Sequence, residues 1–136
     1  MRLIVGAVLG VIIGYERQWR ERPAGAHTTG LVAAAAAAFA ATGPALTGES
    51  EGRIIANIVT GVGFLAGGVI LREGPNVTGL NTAATIWSTA AVGALSGVGL
   101  FREALSATGA ILLINLSAEP IANYISSKVE VIRNRR

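Results

Sequence analysis

Apolar residues along the chain gather into five runs, at roughly 2–22, 27–43, 53–72, 81–100 and 104–124, each closed by charged, glycine- or proline-containing stretches. Runs of about 20 residues suit helices that cross a hydrocarbon core of about 30 Å. The first run is the short one, since Leu3 to Tyr15 rises only about 20 Å. Either its helix continues through Arg22, or the natural chain starts further upstream. Pro23 and Gly25 then stop it, and Glu16, Arg17, Arg20 and Glu21 fall at headgroup level with opposite charges four residues apart. The second run ends at Gly43-Pro44, the third follows a polar turn over Thr47–Gly52, and Gly74-Pro75 breaks the chain before the fourth. The pattern predicts an all-α fold: a polytopic integral membrane bundle of about five transmembrane helices over 1–125, followed by a basic cytoplasmic tail over 126–136.

Composition strengthens that reading. The 136 residues are 51% hydrophobic and 14% charged, with 18 glycines, and the mean hydropathy is +0.56; soluble domains carry about 25% charged residues. Cysteine is absent and histidine occurs once, which excludes a disulfide framework, thiolate metal sites and a multi-histidine zinc site. The glycines have no three-residue period and no serine-rich company, so they signal neither collagen nor a linker.

The formal charge of +3 is chiefly a topology signal. On one side of five spans lie Arg17, Arg20, Arg22, Arg72, Lys128, Arg133, Arg135 and Arg136; on the other lie Arg2, Arg53 and Arg102. The positive-inside rule therefore places the N-terminus outside and the C-terminus in the cytoplasm. No nucleic-acid site is read into the charge. A cleaved signal peptide fits poorly, because Glu16 and the arginines stand where a small-residue cleavage site belongs.

Small residues recur at helical spacing: Gly6, Gly10 and Gly14 in the first run, Gly63 and Gly67 in the third, Gly93 and Gly97 in the fourth. In lipid, helices associate through close van der Waals packing, which such residues permit. Gly61 and Gly68 belong with this packing set, and the alanines of 33–38 add further small surface.

Polar residues at membrane depth need partners. Arg53 and Asn57 open the third run, Thr78, Thr82, Thr85 and Thr89 form a stripe at the fourth, and Asn115 and Glu119 belong to the fifth. These residues, with Asn81 and Trp87, are expected to meet in one internal polar seam. A plainer reading stands beside it: the threonines bond their own i−4 carbonyls, Asn81 caps the fourth helix, and Arg53 snorkels to headgroups. Arg72-Glu73-Gly74-Pro75 reads as a charged turn, and His27 as an interfacial residue.

Two blocks carry a resemblance to a known family. GYERQWRERPAGAHTTGLV, Gly14 to Val32, is similar to the charged segment between helices one and two of the MgtC/SapB membrane proteins. RIIANIVTGVGFLAGGVILREGPNVTGLNTAATIW, Arg53 to Trp87, resembles their central region, and Gly79 to Trp87 looks most like the branch associated with bacterial virulence. The family's recurring positions fall on Glu16, Arg17, Arg20, Pro23, Gly25, Arg53, Gly61, Gly63, Phe64, Gly67, Gly68, Arg72, Gly79, Asn81, Thr82, Thr85 and Trp87. Asn57 stands where members often have glutamine, Thr78 where arginine is frequent, and Ser88 where cysteine occurs. Longer members carry an ACT-like cytoplasmic domain after the last helix, and this sequence ends at Arg136.

The resemblance implies a multi-pass protein of the bacterial inner membrane, linked to magnesium limitation and to survival inside phagocytes, that restrains the F-type ATP synthase through protein contacts. The alternative is an ion channel or transporter for Mg²⁺ or a monovalent cation, with Asn57, Thr82, Thr85 and Asn115 lining its path and Arg53 or Arg72 setting its charge preference. A third class is a structural or sensing scaffold. No phosphate loop, nucleophile–base pair or metal-ligand spacing is present, and the expectation is a non-enzymatic protein without cofactor or metal. The lipid bilayer, a second copy of the chain in a homo-oligomer, a dimer first, and a membrane protein such as the ATP synthase are the expected partners.

Overall fold

In the computed structural model, which describes residues 1–133 with side chains as far as 117, five helices form one bundle with a small hairpin at one end. They are α1 (Arg2–Trp19), α2 (Ala26–Thr47), α3 (Glu51–Gly67), α4 (Leu80–Val98) and α5 (Phe101–Arg133). The all-α, five-helix expectation is met. Several boundaries moved.

α1 ends at Trp19, short of Arg22, because Glu21 (φ 54°) and Ala24 (φ 60°) turn the backbone left-handed around Pro23. α2 runs through Gly43-Pro44 to Thr47. Pro44 removes one hydrogen bond near the last turn, and the helix closes at Gly48, whose N–H donates to the Pro44 carbonyl at 3.0 Å. The Oγ of Ser50 caps α3 by accepting from Arg53 N, with Glu51 favourably placed in the first turn. α3 stops at Gly67, not at 72. Residues 71–73 and 76–78 instead pair as antiparallel strands β1 (Leu71–Glu73) and β2 (Asn76–Thr78), with Leu71 opposite Thr78. The Arg72–Pro75 stretch is thus the tip of a hairpin, and Gly74 supplies the positive φ (62°) its tight turn requires.

Gly79, not Asn81, is the N-cap of α4, which corrects the capping role expected of Asn81. α5 continues to Arg133 beyond the span expected to end at 124. Glu119 and the side chains of the basic stretch from 126 lie outside the described residues.

α2 and α4 form the centre, with α1 on one side, α3 on the other and α5 against α1 and α4. Small residues set the spacing. Ala33 and Ala37 of α2 are clasped from two sides: a Cβ on Gly10 would lie 2.6 Å from Ala33 Cβ, one on Gly6 3.0 Å from Ala37 Cβ, and on α4 Gly93 and Gly97 press against the Ala33 and Ala37 carbonyls. Backbones approach this closely only where no Cβ intervenes. Ile13 and Val92, both fully buried, join Leu9 and Ala104 in the α1–α4–α5 core, while Ile58 reaches Ala36, Ala40, Ala90 and Ala94.

The distribution of large side chains is inverted relative to a water-soluble domain. Most of the buried positions are glycine, alanine, threonine or serine, whereas Ile4, Val8, Tyr15, Trp19, Phe39, Leu65, Leu113 and Ile114 face outward. Among the described residues, α2 alone is long and apolar enough to cross a membrane by length and composition, and only 33% of its apolar window is buried. α1 carries Arg2, Glu16 and Arg17 within its length.

Candidate functional site

Glu16 and Arg17 are consecutive near the end of α1, about 100° apart around its axis at 3.6 residues per turn, and they point into two different neighbours. Arg17 is 2% exposed. Its guanidinium donates from Nη2 to Thr82 Oγ1 at 2.9 Å, from Nη1 to Thr85 Oγ1 at 3.4 Å and from Nε to the Pro23 carbonyl at 3.0 Å. The turn through Glu21 and Ala24 is what carries that carbonyl back over Arg17. Thr85 Oγ1 also donates to the Asn81 carbonyl at 2.9 Å, so its proton is committed there and its lone pair is left for the guanidinium.

Glu16 faces α5. One carboxylate oxygen accepts from Asn115 Nδ2 at 3.3 Å, and the other lies 3.7 Å from Arg20 Nη1. The same Arg20 nitrogen donates to the Asn115 carbonyl at 2.9 Å. Asn115 is therefore held by side chain and backbone at once. Together the contacts join the end of α1 to the start of α4 and to α5 with two cations and one anion, and every buried side-chain nitrogen and oxygen among the described residues has a partner.

Glu16, Arg17 and Arg20, read from the sequence as a headgroup-level motif, and Thr82, Thr85 and Asn115, read as part of a seam, are thus one cluster. The remaining seam residues lie elsewhere. α3 packs antiparallel to α4, with Ala66 against Ala83 and Ile86; Arg53, thirteen residues earlier, is about 20 Å away along the axis. There it pairs at 3.2 Å with Glu49 in an exposed i,i+4 bridge. Asn57 lines a groove between α2 and α3, and Trp87, 47% exposed, lines a smaller one between α3 and α4. The side chain of Asn81 is outside the cluster, and only its carbonyl takes part. Arg72 is exposed on the hairpin, where Nε donates to Gly74 O at 3.1 Å.

Threonine back-bonding holds for Thr85 and Thr89, which donate to the Asn81 and Thr85 carbonyls. Thr78 sits on β2, outside α4. Gly6, Gly10 and Gly14 pack inside the bundle against α2, whereas a Cβ at Gly61, Gly63 or Gly67 would meet nothing within 4 Å, and Gly68 meets only carbonyls of its own preceding turn. Among the described residues, Gly61, Gly63 and Gly67 therefore pack against no neighbouring element. The Pro23 carbonyl is the ligand of Arg17 that sequence reading missed; a backbone acceptor leaves no residue-type signature.

The profile of the MgtC family matches residues 3–124, nearly the whole of the bundle just described. The chain belongs to the MgtC family. Proteins named MgtC from Salmonella typhimurium and Brucella abortus are 49% identical over 126 residues and 47% identical over 119, covering 93% and 87% of this chain. An uncharacterised protein from Synechocystis is 50% identical over 127 residues and covers 93% of it. The chain spans 54%, 50% and 54% of those relatives respectively, about half the length of each. No solved structure matches the MgtC-like chain.

Proposed function

We propose that this chain is the membrane domain of an MgtC-like regulator: it crosses the bacterial inner membrane five times, with its N-terminus outside, and acts without catalysis through contacts with another membrane protein. The observation that carries this reading is the division of labour between inside and outside. The polar cluster is closed upon itself by hydrogen bonds, and the outward faces are apolar. Large exposed apolar surface marks a membrane or protein contact, and self-satisfied polar groups fix helix geometry instead of receiving an ion.

The family resemblance supplies the biological setting: adaptation to low magnesium, survival inside host cells and restraint of the F-type ATP synthase. The α1 glycines Gly6, Gly10 and Gly14 are covered by α2 and give a partner no surface. The outward face of α3, with Gly63, Gly67 and the 84% exposed Phe64, is the free surface of this kind. A homodimer through the same surface competes with the partner.

The test reconstitutes the protein in liposomes, measures Mg²⁺, K⁺ and H⁺ flux, and in parallel measures ATP-driven proton pumping in inverted membrane vesicles with and without it. Flux at the level of empty liposomes with reduced pumping is expected. Robust flux that a folded Thr85→Val variant loses makes the protein a transporter instead.

A further inference from the structure

The groove between α2 and α3 has a volume of about 500 Å³, and the cluster described above makes no use of it. From Ile54 to Leu65 its α3 wall rises about 16 Å, half of a hydrocarbon core of about 30 Å. Half-open along that length, the groove is long enough to seat one hydrocarbon chain lengthwise.

Its polarity changes along its length in one direction. At the α2–α3 turn, next to the lining but outside it, stand Glu49 and Arg53, paired at 3.2 Å, with side chains 40% and 69% exposed. One turn further in, Asn57 presents an amide that has no hydrogen bond to any described residue. The other polar side chains of the wall are already engaged: Thr42 Oγ1 donates to the Ala38 carbonyl and Thr47 Oγ1 to that of Gly43. Beyond Asn57 the α3 wall is Ile58, Gly61, Val62 and Leu65, facing Val32 and Phe39 of α2. An adjacent cation and anion, then an amide, then hydrocarbon is the order of groups in a zwitterionic glycerophospholipid.

We propose that this groove binds one phospholipid of the surrounding bilayer. Arg53 holds its phosphate and Glu49 its ammonium, Asn57 donates to the ester carbonyl, and one acyl chain fills the cleft as far as Leu65. The site rests on the membrane-spanning reading above. An open amide in hydrocarbon is costly, and the ester removes that penalty.

The experiment is native mass spectrometry of the chain purified from membranes in mild detergent, with thermal melts to confirm folding. Wild type is expected to retain one amine- and phosphate-bearing lipid per protomer. Gly61→Leu, which fills the groove, lowers retention roughly tenfold, while Gly63→Leu on the outward face of the same helix leaves it unchanged. Asn57→Leu keeps the volume, removes the amide and weakens retention, and Arg53→Ala weakens retention of phosphate-bearing lipid. Equal retention by wild type and Gly61→Leu overturns the site, as does a dimer mass that Gly61→Leu abolishes. Alkaline extraction of the membranes separates the two readings. A chain released into the supernatant sinks the membrane-spanning reading, whereas one that stays in the pellet without groove-dependent lipid sinks the lipid site alone.

Discussion

Arg17 Nη2 lies 2.9 Å from Thr82 Oγ1, a contact between residues 65 apart in the chain. It fixes the end of α1 against the first turn of α4, and the same guanidinium reaches Thr85 and the Pro23 carbonyl. Three acceptors around one planar fork suit arginine and not lysine, whose ammonium is a point donor on a flexible stem. Arg17→Lys is therefore expected to destabilise the bundle by about 1.5–3 kcal/mol, read as a lower melting temperature in detergent. Thr82→Ser, which keeps the acceptor, is expected to lose much less. A lysine variant as stable as wild type would mean that charge, not geometry, is what the site needs.

Glu16 and Asn115 test the second arm of the cluster. The carboxylate accepts from Asn115 Nδ2, and Arg20 ties the Asn115 carbonyl to the same place. Glu16→Leu and Asn115→Leu each remove this contact, so their effects on unfolding should not add. A double-mutant cycle is expected to give a coupling of about 0.5–3 kcal/mol. Coupling near zero would show that Glu16 is held by Arg20 alone.

The five helices were legible in the sequence because apolar runs between charged or glycine-proline stretches are long and unambiguous. Their ends were less so. Val69, Ile70 and Leu71 continue the third apolar run without a break, and hydropathy alone does not separate a short strand from more helix. Gly43-Pro44 looked like a stop, yet a proline near the end of a helix forfeits only one hydrogen bond. The cluster is half legible: Thr82, Thr85 and Asn115 read as polar residues needing partners, but Glu16, Arg17 and Arg20 read as headgroup-level charges. The burial of Arg17 depends on the return of the Pro23 carbonyl and on α4 arriving beside α1. Arg53 and Asn57 were grouped with the seam because helical spacing records the face of a residue and not its depth, and the antiparallel run of α3 puts them at the opposite end.

Glycines that look alike in the sequence should behave oppositely. A Cβ at Gly10 would meet Ala33 Cβ and the Thr29 carbonyl, each at 2.6 Å, and one at Gly93 would strike the Ala33 backbone. Gly10→Ala and Gly93→Ala are expected to lower stability by about 1–3 kcal/mol through overpacking. Gly63→Ala meets open space, so it should be neutral or gain up to about 1 kcal/mol from helix propensity. Melting curves of the three variants check the contrast; equal losses at all three positions would place α3 in an intimate contact that the isolated chain lacks.

Gly79 joins the hairpin to α4 and bears directly on the Arg17 cluster, because Thr82 lies three residues further on. Its φ is +86°, a region that side chains rarely enter, and a Cβ there would collide with the carbonyl of Val69. Neither problem can be relieved by a rotamer change. Gly79→Ala is thus expected to displace the start of α4 and to destabilise by about 1–3 kcal/mol. Gly74 shares the positive φ, at +62°, but has nothing within 4 Å of its Cβ position. Gly74→Asn, a residue that tolerates left-handed backbone, should therefore be nearly silent. Hydrogen exchange over Leu80–Thr85 provides the decisive readout: faster exchange in Gly79→Ala, unchanged in Gly74→Asn, would establish that the connection to α4, and not the hairpin tip, holds the cluster in place. Unchanged exchange in both variants would mean that Arg17 alone anchors the start of α4.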